Sequence, residues 1–307
     1  MGVGTSREGK TSRLPYSLAA MARRYDTVSF LTDYGWDDEF VGVVKSVIRD
    51  LAPHVTVIDL THGIRPYDVR GGSLALARAI PYVAEGVVLA VVDPGVGTSR
   101  RALAIEVAGG AGVLVGPDNG LLAPAAAIIG GAERAVELTN TQYQLEAPGA
   151  TFAGRDVFAP AAAHLCNGVD LGELGTPVDP GVLLPGMVPL PRDEPDGIHA
   201  EVLWVDRFGN CQLNVGADDL PPDIEVWTVT TGIDRHVARI SAAFAHLGVG
   251  AVGLILDSHG MYALALDRHS AAAELGLAAG DAVVIAPSSD DQRPAAISTP
   301  VELRRDR

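Results

Sequence analysis

The chain has 307 residues, of which 48% are hydrophobic, and this is enough apolar material for one large domain or two ordinary ones. Its 38 acidic residues outnumber the 23 basic ones, giving a formal net charge of −15, and the basic residues form no block. This balance argues against a nucleic-acid partner and is compatible with a cationic small molecule. No apolar run approaches the roughly 18 to 20 residues that cross a bilayer, so no membrane partner is expected.

Cysteine use and the first residues suggest where the protein acts. Cys166 and Cys211 are too few and too far apart for a disulfide framework or a cysteine-based metal site. We therefore expect both to be reduced and the protein to be cytoplasmic. Residues 1–26 are rich in Ser, Arg, Gly and Lys, and they are predicted to form a disordered tail rather than a signal peptide.

Strands and helices alternate in the first part of the chain. Apolar, β-rich runs predict strands at 27–32, 55–60, 86–92, 102–107 and 112–115. Helical periodicity predicts helices at 40–51, 69–80 and 157–166, and a further helix that ends at residue 129. Such alternation indicates right-handed crossovers, and hence an α/β domain with a mostly parallel sheet over residues 27–190.

The pattern changes after a stretch in which proline is frequent. Residues 191–197 are predicted to be a linker between two domains. Beyond it, short alternating runs stand at 199–205, 211–215, 226–231, 236–240, 250–256, 261–266 and 282–285. Short strands without intervening helices indicate a smaller antiparallel β domain over 198–307, built as a barrel or sandwich.

Polar residues collect where the first three predicted strands end. They are Asp33, Asp38, His62, Tyr67 and Asp93. Ligands of open α/β sheets bind at this carboxyl edge, which makes Asp33 and Asp93 candidate site residues. Each of the others also has a structural explanation. Asp38 can cap the following helix, His62 is better explained as a core or loop histidine, and Tyr67 can simply pack.

The segment Val92-Asp-Pro-Gly-Val-Gly-Thr-Ser-Arg is the strongest candidate for chemistry. A proline and two glycines follow Asp93 and allow a ligand to approach the backbone, and Arg100 returns a cation to the same loop. An ordinary turn with a surface ion pair explains the same residues. The segment is not a dinucleotide fingerprint, because Arg100 replaces its third glycine and no helical pattern follows.

Six segments taken together resemble the S-adenosylmethionine hydroxide adenosyltransferases, relatives of the fluorinases and chlorinases. They are Leu31-Thr-Asp-Tyr-Gly, Val92-Asp-Pro-Gly-Val-Gly-Thr, Gly116-Pro-Asp-Asn-Gly-Leu-Leu, Thr151-Phe-x-Gly-Arg-Asp, Arg207-Phe-Gly-Asn and Asp257-Ser-x-Gly. The match runs in order from about residue 27 to 290. The resemblance implies an N-terminal α/β domain, a C-terminal β domain and a homotrimer whose substrate sites lie between neighbouring subunits.

The same resemblance implies roles for polar residues of both domains. By position, Asp33 would hold the ribose hydroxyls and Asn210 the adenine of S-adenosylmethionine. Asp38, Asp206 and Ser258 would hold the methionine amino group or its surroundings. In this resemblance S-adenosylmethionine is the substrate and already carries its leaving group as a sulfonium, so no metal and no cofactor are expected.

The residues that would line the implied site affect which nucleophile, water or a halide, can react there. Tyr67 and Phe152 would lie beside the sugar and the reacting carbon. Gly154 leaves space that a halide could occupy. Halide transfer is nevertheless the lowest-ranked alternative, because Asp93 would place a negative charge where a halide must sit.

Hydroxide-transferring members of the family resemble one another in an Asp-Arg-His triad. Asp93 and Arg100 match two members, but Ala153 stands where the pattern Thr-Phe-His-Gly-Arg-Asp has its histidine. The resemblance therefore implies hydrolysis of S-adenosylmethionine to adenosine and L-methionine by water attacking C5′ of the ribose, slowed by Ala153. An alternative of another class is a protein that binds S-adenosylmethionine or adenosine without turning it over.

Overall fold

The computed structural model describes residues 24–288, which form two units that divide after Gly186. Of the predicted tail, residues 1–23 lie outside the described residues. The remainder includes Tyr25, whose side chain is buried in the core of the first unit. Its hydroxyl donates a hydrogen bond to the carbonyl of Gly110 at 2.8 Å. The first unit therefore includes residues that the prediction assigned to the tail.

The first unit contains a seven-stranded sheet. Its strands are β1 (Thr27–Thr32), β2 (Thr56–Thr61), β3 (Gly86–Val91), β4 (Ala102–Val107), β5 (Gly112–Pro117), β6 (Ala132–Glu137) and β7 (Thr176–Val178). They lie in the order β2-β1-β3-β5-β4-β6-β7. The first four strands of this order are parallel, and β4 and β7 are antiparallel to their neighbours, so five of the seven point the same way. The predicted mostly parallel sheet is confirmed.

Four α-helices complete this unit. They are α1 (Phe40–Leu51), α2 (Val69–Ala79), α3 (Ala123–Ile128) and α4 (Ala159–Cys166). Every residue of β3 is buried, because its side chains alternate between two cores. Val87 and Leu89 join the core of α1 and α4, and Val88 and Ala90 join the core of α2 and α3. This two-sided burial explains the continuous apolar run seen in the sequence.

The second unit is built on a barrel. Its elements are β8 (Arg192–Glu194), β9 (Gly197–Val205), β10 (Cys211–Gly216), β11 (Val226–Thr231), β12 (Asp234–Ile240), β13 (Val252–Leu256), β14 (Met261–Ala265), α5 (Ala271–Leu275) and β15 (Ala282–Pro287). Seven strands follow the order β10-β14-β13-β12-β11-β15-β9, and pairing of β9 with β10 closes the ring. The predicted barrel is confirmed, although β12 and β13 pair in parallel.

This unit contains two elements that the sequence did not predict. The predicted linker 191–197 contains β8, whose Arg192 pairs with His199 of β9. All three residues of β8 are exposed, so the sequence has no apolar pattern there that would predict a strand. The helix α5 interrupts a region predicted to lack helices, because its five residues are too few to show a helical period. Its ends are marked, however, since Ser270 accepts a hydrogen bond from the Ala273 amide and Gly276 is left-handed.

No helix among residues 24–288 has the length and apolar content needed to cross a membrane.

Candidate active site

The carboxyl ends of β1 and β3 open into one pocket of the first unit. These strands are neighbours and Thr32 pairs with Val91, so the loops that follow them start side by side. The pocket has a volume of about 440 Å³. Seven predicted site residues line it: Asp33, Asp38, Tyr67, Asp93, Phe152, Ala153 and Gly154. Sequence positions 120 residues apart therefore meet in one concave site.

Asp93 and Arg100 form a two-pronged ion pair. The Arg100 Nε donates to Asp93 Oδ1 at 3.0 Å, and Nη2 donates to Oδ2. The side chain of Arg100 is only 12% exposed and that of Asp93 only 6%. The Arg100 guanidinium also lies 5.4 Å from the centre of the Phe158 ring. A bidentate pair held in this way fixes the orientation of the carboxylate and leaves each of its oxygens a further acceptor site.

The loop between these two residues is a compact turn. Thr98 Oγ1 donates to the Gly95 carbonyl at 2.7 Å and accepts from the Arg100 amide at 3.3 Å. Gly97 has φ +76°, and a Cβ there would lie 2.9 Å from the carbonyl oxygen of Ala150. Glycine is required at this position both by its conformation and by the neighbouring chain.

Asp33 is the second carboxylate of the pocket. Its Oδ2 accepts a hydrogen bond from the Tyr67 amide at 2.9 Å, and Tyr67 itself adopts φ +68° with its side chain 74% exposed. Burial raises the pKa of Asp33, and the charge of Asp93 raises it further against the opposing effect of the Tyr67 amide. Asp38 also lines the pocket and does not cap α1, whose N-cap is Glu39. This acidic environment suits a cationic ligand.

His62 lies beneath the loop that follows β1. Its Nδ1 is 2.8 Å from Thr32 Oγ1 and its Nε2 is 3.2 Å from Asp59 Oδ1. The ring is fully buried between Phe30 and Trp36, with both ring centres at 4.7 Å. Burial lowers the pKa of His62, so it is neutral at pH 7. The expected core histidine is confirmed.

An aromatic cluster forms another part of the lining of this pocket. The Phe152 ring lies 5.8 Å from Tyr34 and 5.1 Å from Phe40, in edge-on contacts. Ala153 is half-buried beside it, and a one-turn π-helix begins at Gly154. A Cβ on Gly154 would collide with the Tyr34 hydroxyl. Sequence reasoning missed Tyr34 and Phe40, although Tyr34 stood within a motif.

The second unit has a pocket of its own, of about 540 Å³. Asp206 and Asn210 line it, together with Phe208 and Phe244. Asp206 Oδ1 accepts from the amides of Phe208 and Asn210 at 2.8 and 2.9 Å, and Oδ2 accepts from Asn210 Nδ2 at 2.8 Å. Asp206 thus fixes the turn and orients the Asn210 amide. A fixed amide beside two exposed aromatic rings suits a flat heteroaromatic ligand.

Ser258 is not brought to that pocket. It lies exposed in the turn of Asp257, whose Oδ1 accepts from the His259 amide at 2.8 Å and the Met261 amide at 3.1 Å. Among the described residues, three ligand atoms close enough to hold a metal ion belong to Glu194, Asp196 and His199. None of these three lines either pocket.

An α/β unit with an acidic pocket and a mixed β barrel with a polar and aromatic pocket together define a protein that binds small molecules. The sequence model of the SAM hydroxide adenosyltransferase N-terminal domain matches residues 28–175, and that of the C-terminal domain matches residues 200–284. The chain therefore belongs to the SAM hydroxide adenosyltransferase family.

Individual relatives agree with this assignment. The chain is similar to the (R)-S-adenosyl-L-methionine hydrolase of Salinispora tropica, with 46% identity over 254 residues that cover 83% of this chain and 95% of that protein. A fluorinase of Actinoplanes sp. is more distant, at 26% identity over 84% of this chain and 96% of the fluorinase. The crystal structure of an uncharacterized conserved protein from Thermotoga maritima matches with a TM-score of 0.77 and 34% identity, covering 84% of this chain and 99% of that one.

Proposed function

We propose that this protein is an enzyme that hydrolyses S-adenosyl-L-methionine to adenosine and L-methionine. The observation that carries the proposal is the bidentate pair of Asp93 and Arg100 in an acidic pocket. The hydrolase named among its relatives supports the substrate, and the lower identity of the fluorinase favours water over a halide. We also propose a preference for the (R) epimer at sulfur, which that hydrolase's name specifies.

The chemistry needs little beyond a well-placed water. The sulfonium already carries its leaving group, so the enzyme has to hold a water in line, exclude bulk solvent and accept one proton. As the bond from the water oxygen to C5′ forms, the bond from C5′ to sulfur breaks and its electron pair leaves with methionine. The attacking water becomes strongly acidic in this step, so the Asp93 carboxylate accepts its proton late and passes it to solvent.

The remaining predicted residues would bind the substrate. In this proposal Asp33 accepts from the ribose hydroxyls, Asn210 binds the adenine, and Tyr67 and Phe152 lie along the sugar. Asp38, Asp206 and Ser258 act at or near the methionine amino group, with Asp206 doing so through the turn that it holds. Arg100 keeps the Asp93 carboxylate oriented toward the water.

Three further properties belong to the proposal. No metal or cofactor takes part, so a chelator should leave turnover unchanged. The chains form a homotrimer in which neighbouring subunits complete each site, and light scattering of the active enzyme tests this. The enzyme acts in the cytoplasm, in line with two buried, free cysteines.

The decisive experiment is incubation with S-adenosylmethionine in ¹⁸O-water, with each sulfonium epimer supplied separately. We expect adenosine that carries ¹⁸O, an equal amount of methionine and faster turnover of the (R) epimer. Adenosine without ¹⁸O would contradict attack by water at C5′. Calorimetric binding without product would instead establish the non-catalytic binding protein, and a 5′-halogenated nucleoside formed in added halide would establish halide transfer.

A further inference from the structure

Tyr34 lines the pocket of the first unit, and its hydroxyl lies next to Gly154, which lines the same pocket. Tyr34, Asp93 and Ala153 line the same cavity. The hydroxyl lies directly against the Cα of Gly154, in space that any Cβ at that residue would occupy. Within residues 24–288, no protein group hydrogen-bonds this hydroxyl. A glycine next to Ala153 therefore makes room for a polar group that has no protein partner.

The position of the Tyr34 ring is well defined. Its centre lies 5.7 Å from that of Phe40 and 5.8 Å from that of Phe152. Its backbone amide donates to Thr32 Oγ1 at 3.1 Å. Burial raises the pKa of Tyr34 well above its usual range, and the charges of Asp33 and Asp93 raise it further. The hydroxyl is consequently neutral at every pH at which the enzyme would work, and it can both donate and accept a hydrogen bond.

Water is the natural ligand of such a group. The side chain of Ala153 is a methyl group, so it cannot hydrogen-bond a water. A water that contacted both Asp93 and the Tyr34 hydroxyl oxygen would have two acceptors, and a water held by two partners is far better oriented than one held by a single carboxylate.

We propose that Tyr34 is a further catalytic residue, whose hydroxyl oxygen accepts a hydrogen bond from the attacking water while Asp93 accepts the other. This inference rests on the proposed hydrolysis. It assigns to Tyr34 the water-holding role that Ala153 cannot fill.

The step balances without any additional group. With one hydrogen directed to Asp93 and the other to Tyr34, a lone pair of the water oxygen faces C5′. When the bond to carbon forms and the sulfonium leaves, the proton directed to Asp93 transfers to that carboxylate. The hydrogen directed to Tyr34 stays on oxygen and becomes the hydrogen of the adenosine 5′-hydroxyl. Tyr34 keeps its own proton throughout.

The test begins with Tyr34→Phe, which removes the hydroxyl and keeps the aromatic contacts. We expect kcat for adenosine formation to fall about 10-fold, because the water loses one of two partners. The KM for S-adenosylmethionine and its calorimetric Kd should not change. Tyr143→Phe is the matched control, because its hydroxyl bonds Glu173 at 2.8 Å and does not line the pocket.

Two further variants separate a catalytic role from a structural one. In the Ala153→His background a histidine can hold the same water, so Tyr34→Phe should cost much less there than in the native chain. Gly154→Ala should displace the hydroxyl and lower kcat as Tyr34→Phe does, with little additional loss when the two are combined. Thermal unfolding of each variant accompanies the kinetics.

The outcomes distinguish the inference from the proposed function. If native enzyme forms adenosine and methionine and Tyr34→Phe is equally fast, the role of Tyr34 is overturned while hydrolysis stands. A raised KM at unchanged kcat, or an equal loss of kcat in both backgrounds with a lower Tm, also overturns it. If the native protein forms no product, hydrolysis fails and the role of Tyr34 fails with it.

Discussion

The two pockets use their aspartates in different ways. In the first unit, Asp33 and Asp93 each make contacts to one neighbouring residue and still face the cavity with acceptor sites to spare. In the second unit, Asp206 accepts three hydrogen bonds from its own turn. The first pocket therefore has carboxylates available for a ligand or a water, whereas the carboxylate of the second pocket holds the backbone of its own turn. The same residue type is thus left available to a ligand in one unit and holds a turn in the other.

A comparison within the barrel supports this distinction. The turns at Asp206 and Asp257 share one design, in which the aspartate accepts from the amides two and four residues later. Each ends in a glycine of positive φ, Gly209 at +85° and Gly260 at +76°. Only the first of these two turns lines the pocket of this unit. An aspartate in a motif can therefore be explained by its turn alone.

The largest expected effect is at Asp93. Asp93→Asn keeps the shape of the side chain but removes the group that accepts the water's proton, so kcat should fall roughly 10²- to 10⁴-fold. Binding of S-adenosylmethionine should weaken much less, because Asp93 is not asked to hold the nucleoside. The rate of adenosine formation measures the change in kcat, and calorimetry measures the change in affinity. If Asp93→Asn turns over at the native rate, another group accepts the proton. Asp93 would then no longer differ in role from Asp206, which holds a turn.

The second effect is a gain at Ala153. A histidine there can orient the water or carry its proton away, and misplacing a nucleophile costs on the order of 10²-fold. We therefore expect Ala153→His to raise kcat by up to about that factor, with the Kd for S-adenosylmethionine unchanged. Steady-state kinetics and calorimetry provide the measurement. A kcat that stays level or falls would mean that the native pocket already holds its water well without this residue.

The sequence predicted the architecture better than the details of the site. The buried run of β3 and the motif order were enough for the α/β unit, the barrel and the acidic edge that holds Asp33 and Asp93. Tyr34 was missed because an aromatic residue beside a strand is explained by packing, and its position depends on the missing Cβ of Gly154, 120 residues away. The exposed strand β8 was missed because it buries no residue. Local patterns carry no information on such distant contacts.

The third effect separates the two turns. Asp206→Ala and Asp257→Ala each remove the acceptor of two backbone amides and one side-chain amide, from Asn210 and Gln212 respectively. Both should lower the free energy of unfolding by about 1–3 kcal/mol, which denaturant titration measures. Only Asp206→Ala should also weaken binding of the product adenosine, because only Asp206 orients Asn210. Asp257 instead holds the turn of Ser258, at the methionine end of the proposed site. Equal affinities in the two variants would remove Asn210 from the ligand site.

The smallest effect is a pH dependence at Asp33. The pKa of Asp33 is raised in the folded protein, chiefly by burial, so its carboxylate takes up a proton at a higher pH than in the unfolded chain. In that window the folded state binds more protons, so stability decreases as pH rises and remains lower at neutral pH. Asp33→Asn should therefore raise the Tm slightly at pH 7 and have no such benefit at a pH below both pKa values.

The affinity for the ligand should depend on pH in the opposite direction to the stability. An ionised Asp33 accepts from ribose hydroxyls and attracts the sulfonium, so the affinity of the native protein for S-adenosylmethionine should decrease as pH falls through the raised pKa of Asp33. Asp33→Asn should bind more weakly at pH 7 and show a flatter pH profile, as measured by calorimetry from pH 7 downward. If the two profiles have the same slope, the acid-sensitive group is another carboxylate of the pocket, and Asp33 serves, like Asp206, to hold the chain.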